Sequence, residues 1–87
     1  MERTEFNFGD AINVLKVGGK VARKGWNGKG MFLKLVPNEF YDVGVSIVER
    51  DCEGLLPWIG MKTAENMFVP WLASQTDMLA EDWEIIS

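Results

Sequence analysis

The sequence predicts an α+β domain in which one N-terminal helix packs on a small antiparallel sheet, and three observations carry that prediction. One segment near the N-terminus repeats its apolar residues with helical period. Most of the remainder divides into short runs rich in β-branched and aromatic residues, bounded by Gly, Pro or Asn. The chain has only 87 residues, enough for one core and not two, so residues 1–87 are read as a single ligand-binding domain.

The helix runs from Asn7 to Gly18. Asn7 suits an N-cap, Asp10 sits in the first turn, and Phe8, Ala11, Ile12 and Leu15 fall at i, i+3, i+4 and i+7. Gly18-Gly19 supplies the stop. Lys20 to Lys24 and Met31 to Val36 then read as the strands of a hairpin around the glycine-rich turn Gly25 to Gly30, with Trp26 exposed in that turn. Pro37 ends the second strand, and residues 38–42 give no readable element. Val43 to Glu49 alternates as a strand and Arg50 to Gly54 reads as a turn. Trp58 to Thr63 and Asn66 to Val69 form two further strands joined by a tight polar turn. Ser74 with Asp77 three residues on resembles a capping box that opens a helical turn through Ala80, and Asp82 to Ile86 closes as a final strand. The sum is five or six antiparallel strands.

Composition narrows the function. A hydrophobic fraction of 47% and a charged fraction of 25% describe a compact globular chain. A domain this small buries only about 60–65% of its unfolded surface, so self-association is expected. The net charge of -4 and pI near 4.7 disfavour a nucleic-acid partner, which calls for a basic stripe. The longest apolar runs fall far short of a membrane span, and the charged start Met1-Glu2-Arg3-Thr4-Glu5 lacks the apolar core of a secretion signal, so no membrane partner and a cytoplasmic location are expected. There is no histidine and only one cysteine, Cys52. The usual general base and the commonest metal ligand are therefore missing, and no catalytic residue, metal site or cofactor is predicted.

Two blocks carry the chemistry that remains. Arg23-Lys24-Gly25-Trp26-Asn27-Gly28-Lys29-Gly30 sets an indole beside a cationic, glycine-rich turn whose backbone N–H groups can approach an anion. Val69-Pro70-Trp71-Leu72-Ala73-Ser74-Gln75-Thr76-Asp77 sets a second indole beside groups that hydrogen-bond hydroxyls or a base edge. Stacking a base on an aromatic face contributes about 1–3 kcal/mol. The candidate ligand-binding residues are Arg23, Trp26, Asn27, Gly28, Trp71, Ser74, Gln75 and Asp77, although Ser74 and Asp77 also have capping to do. Trp58 and Trp83, inside strand patterns, are read as core. Asp77 and Asp82 form a carboxylate pair with no nucleophile or metal to accompany it.

These blocks, with Asn7-Phe8-Gly9-Asp10-Ala11 before them and Leu79-Ala80-Glu81-Asp82-Trp83 after, resemble the second Thoeris anti-defence protein family of bacteriophages. The resemblance leaves roughly residues 37–56 without family features. It implies a sponge that sequesters a cyclic ADP-ribose signal (1''-3' cyclic ADP-ribose) in the infected host's cytoplasm without degrading it. It also implies a homotetramer with pockets between protomers, and cyclic dinucleotides as an alternative ligand. The rival from the residues alone is a protein-interaction module anchored by Trp26 and Trp71.

Overall fold

The computed structural model describes residues 6–26, 30–37 and 56–86. Helix α1 spans Phe8–Lys16 and begins on a complete capping box: the Asn7 side chain accepts from the Asp10 N–H and the Asp10 carboxylate accepts from the Asn7 N–H, both at 2.9 Å. It ends where Gly18 takes φ +92°, a left-handed conformation that glycine adopts without strain, while the Gly18 and Gly19 N–H groups return to the Leu15 and Val14 carbonyls.

Strands β1 (Val21–Arg23), β2 (Phe32–Val36), β3 (Trp58–Lys62), β4 (Phe68–Pro70) and β5 (Trp83–Ile85) form one antiparallel sheet in the order β4-β3-β2-β1-β5. The hairpin expected around the glycine-rich turn is present, with Val21 opposite Leu33. A short helix α2 (Gln75–Leu79) starts on the Ser74 and Asp77 capping box. The strand expected at 43–49 and the turn at 50–54 lie outside the described residues.

Register puts Val21, Leu33, Leu35, Ile59, Met61 and Trp83 on one face of the sheet. That face meets α1: Ala11, Leu15, Val21, Leu33 and Trp83 form the buried core, with Phe8, Ile12, Leu35, Ile59 and Met61 packed around it. Trp58 differs from its expected place. It shares the opposite face with Gly60 because its strand parity is one step from Ile59, and it packs there, partly buried, against Phe68 at 6.0 Å between ring centroids. A Cβ at Gly60 would collide with the Phe68 ring, so any larger residue there would have to push that ring off Trp58.

Among the described residues β4 ends the sheet, and that edge is blunted by its own sequence. The Thr63 N–H donates to the Met67 carbonyl and the Trp71 N–H to the Ile59 carbonyl, so Met67, Val69 and Trp71 direct their backbone groups at β3 while Phe68 and Pro70 direct theirs outward. Pro70 has no N–H to offer there, which discourages strand addition.

Leu33→Ala is expected to cost about 2–5 kcal/mol in urea unfolding, whereas Leu79→Ala, 78% exposed, should stay within about 0.5 kcal/mol. The reverse ranking would remove Leu33 from the core.

Candidate functional site

The two blocks singled out from the sequence meet around a third indole. Trp83 is fully buried, and the rings of Trp26 and Trp71 each stand nearly perpendicular to it, at 5.8 Å and 80° and at 6.1 Å and 88°. Phe8 from α1 completes the cluster, 5.7 Å from Trp83 and 6.2 Å from Trp71. Edge-to-face contacts of this kind add about 0.5–1.5 kcal/mol each beyond area burial. Trp26 is thus not the exposed turn residue expected from its glycine neighbours. The chain makes a 3-10 turn over Lys24–Trp26 directly after β1, which folds the indole back until it is half-buried against the core. Trp71 is likewise half-buried and is fixed by its N–H to the Ile59 carbonyl at 3.0 Å.

A charged cluster ties the same elements together. Arg23, the last residue of β1, donates from Nε to Asp82 Oδ1 at 2.9 Å and from Nη1 to Asp77 Oδ1 at 3.0 Å. The other Asp77 oxygen accepts from the Ser74 N–H at 3.1 Å and from the Ser74 hydroxyl at 2.8 Å. The Trp83 Nε1–H donates to the Asp77 backbone carbonyl at 3.0 Å, and the Lys24 N–H to the Asp82 carbonyl at 3.1 Å. One ion-pair network therefore joins β1, the start of α2 and the entry to β5, and the buried indole is pinned to its centre.

Burial raises the cost of ionising Asp77, but the Ser74 backbone and hydroxyl donors and the Arg23 guanidinium outweigh it and hold the carboxyl below its ordinary value. Arg23 is raised, first by its hydrogen bond to Asp82 and then by that to Asp77.

Of the predicted site residues, Arg23, Trp26, Trp71, Ser74 and Asp77 are brought together. Gln75 is exposed in the first turn of α2. Asn27 and Gly28 lie outside the described residues. Sequence reasoning left out Asp82 and Phe8 and saw Trp83 only as filler. The Arg23 partners lie 54 and 59 residues away in the chain, so no local pattern reveals them. A separate open groove of about 440 Å³ lies between the end of α1 and β2, lined mostly by Leu15, Val17, Leu35 and Pro37 with Lys34. None of the candidate residues lines it. Among the described residues no group of His, Cys, Asp and Glu is placed to hold a metal, and no helix is long and apolar enough to cross a membrane.

Comparison with known proteins bears on the whole of this arrangement. The model of the Thoeris anti-defense 2-like domain matches residues 6–86. A curated protein of Bacillus phage SP01, Thoeris anti-defense 2, is 46% identical over 88 residues, covering 98% of this chain and 99% of that protein. The chain belongs to the Thoeris anti-defense 2 family.

For a family member, the match takes in α1, the sheet, both aromatic blocks and the strand that carries Trp83. The indole cluster and the charged network are therefore inside the family domain and not appended to it.

The lowered Asp77 value fixes the sign of a pH effect. A carboxyl whose folded-state pKa lies below its unfolded value, about 4, contributes stability that is fully present above that value and is lost as pH falls through the folded one. Asp77→Asn should be less stable than the parent at neutral pH, and the gap should narrow on acidification from about pH 5 to pH 2, read as melting temperature against pH. Parallel curves would show that this carboxyl is not ion-paired in the fold.

Proposed function

We propose that this protein is a phage anti-defence sponge that captures 1''-3' cyclic ADP-ribose, a Thoeris immune signal, and keeps it from its host effector without degrading it. Family membership supports the anti-defence role. The observation that carries the binding reading is the pair of half-buried indoles held nearly perpendicular to Trp83 beside the Arg23, Ser74 and Asp77 cluster. Such rings are fixed by the core on one side and leave aromatic surface for a base on the other, so stacking costs little ordering. With no histidine and a single cysteine in the sequence, retention without conversion is the economical chemistry.

The protomer is proposed to act as a homotetramer in the cytoplasm of the infected cell, with each pocket completed by a neighbouring copy. Leu72 at 91% exposure lies within the Trp71 to Asp77 block and Leu79 at 78% just after it, and apolar side chains this open are suited to a seam between subunits. The same exposure is the specific observation behind a second reading, in which the rim captures a partner protein. Cyclic dinucleotides are the alternative small ligand.

Isothermal titration with 1''-3' cyclic ADP-ribose, followed by heating of the complex, separates these readings. A sponge binds and releases intact nucleotide, an enzyme releases product, and an interaction module gives no heat of binding. Trp26→Ala should weaken binding by about 1–3 kcal/mol in the same titration. Unchanged affinity in a folded Trp26→Ala protein would place the stacked base elsewhere.

A further inference from the structure

We infer that Arg23 is a positioning residue, which sets Trp26 and Trp71 around Trp83, and that the ligand's phosphate charge is met outside its cluster. The inference rests on the sponge reading for the identity of the ligand. It stands on the geometry of this chain for the role of the residue.

An arginine beside a glycine-rich turn invites assignment as a phosphate contact, because its planar fork suits two anion oxygens. Here two of the three guanidinium nitrogens are already engaged. Nε is directed at Asp82 and Nη1 at Asp77, so the cluster of one guanidinium and two carboxylates carries +1 - 2 = -1. An approaching phosphate meets a net negative charge. A phosphate binding Arg23 through Nε or Nη1 would have to displace a carboxylate, and the one on Nη1 also serves the α2 cap.

What the cluster does instead follows from where its members sit. Arg23 is three residues before Trp26, with the 3-10 turn between them. Asp77 is six residues after Trp71, and its backbone carbonyl holds the Trp83 indole N–H. Asp82 immediately precedes Trp83, and its carbonyl receives the Lys24 N–H at the start of that turn. Each end of the network thus leads within six residues to one of the three indoles. Removing the guanidinium would leave two carboxylates facing each other and would release the turn, α2 and the β5 entry together. The cation open to solvent on the same turn is Lys24, which is exposed and makes no ion pair among the described residues. It is free to meet an anion without breaking anything.

Two measurements test this, one without ligand and one with it. Near-ultraviolet circular dichroism of the free protein reads the mutual orientation of the indoles. Arg23→Gln should alter the tryptophan signal while Lys24→Gln leaves it unchanged. Titration with 1''-3' cyclic ADP-ribose across a salt series reads which cation meets the anion, because an exposed charge contact is screened by salt. Lys24→Gln should flatten the salt dependence. Arg23→Gln should lose at least tenfold in affinity and keep the parent slope. An unaltered tryptophan signal in Arg23→Gln, or a flattened salt dependence in that variant, would overturn the inference.

Should Arg23→Gln not fold, Asp82→Asn decides the matter. If Arg23 meets phosphate, removing one negative charge beside it should tighten binding several-fold, which overturns the inference. A positioning role predicts equal or weaker binding. If the parent protein binds no nucleotide, the sponge reading fails, and the dichroism of the free protein still decides whether Arg23 orients the indoles.

Discussion

The Trp83 indole is the constraint on which the rest of this structure depends. Its ring touches Phe8 from α1, Trp26 from the turn after β1 and Trp71 from the segment after β4, and its N–H is spent on the Asp77 carbonyl at the start of α2. Its backbone pairs with Arg23 on one side and with Phe6 on the other. A buried tryptophan requires both a large apolar volume and a partner for its one donor. Meeting both needs at a single point forces four separated stretches of chain to converge there. The aromatic rim and the charged network are consequences of that convergence.

The network around Asp77 shows how one short segment serves local and long-range order together. Ser74 and Asp77 close α2 on itself as a capping box, and the remaining Asp77 oxygen reaches across to β1. A helix of five residues has little stability of its own. It persists because its first turn is bonded to Arg23 and its carbonyl to Trp83. The direction of the Asp77 shift expresses the same point, since donors from both the local cap and the distant guanidinium favour the charged form over the cost of burial.

How much of this was legible in the sequence depended on the range of the interaction. The Asn7 cap, the Ser74 capping box, the Gly18 stop, the hairpin and the final strand follow from neighbours within a few residues, and each stands close to where the residues imply. Trp58 was misplaced because periodicity shows that a strand alternates but not which parity faces the helix; only the pairing of Leu35 with Ile59 settles that. Trp26 was expected in solvent because glycines surround it, yet the 3-10 turn folds it inward onto a residue far along the chain. The Arg23 contacts were invisible for the same reason, and the carboxylate pair of Asp77 and Asp82 makes sense only once the cation between them is seen.

The proposed placement of the binding chemistry on half-buried indoles has an energetic consequence for so small a domain. A nucleotide pocket hollowed from a single core would remove the contacts that hold the fold, whereas half-buried rings would, under the proposed function, contribute to both folding and binding. Stability and affinity then share residues and become linked. A ligand that binds only the folded state at about one hundred times its dissociation constant adds about 2.7 kcal/mol, comparable to what one truncated core residue removes. A protein built this way is most stable when loaded, and for a molecule whose proposed task is to hold a signal without turning it over, the loaded state is the working state.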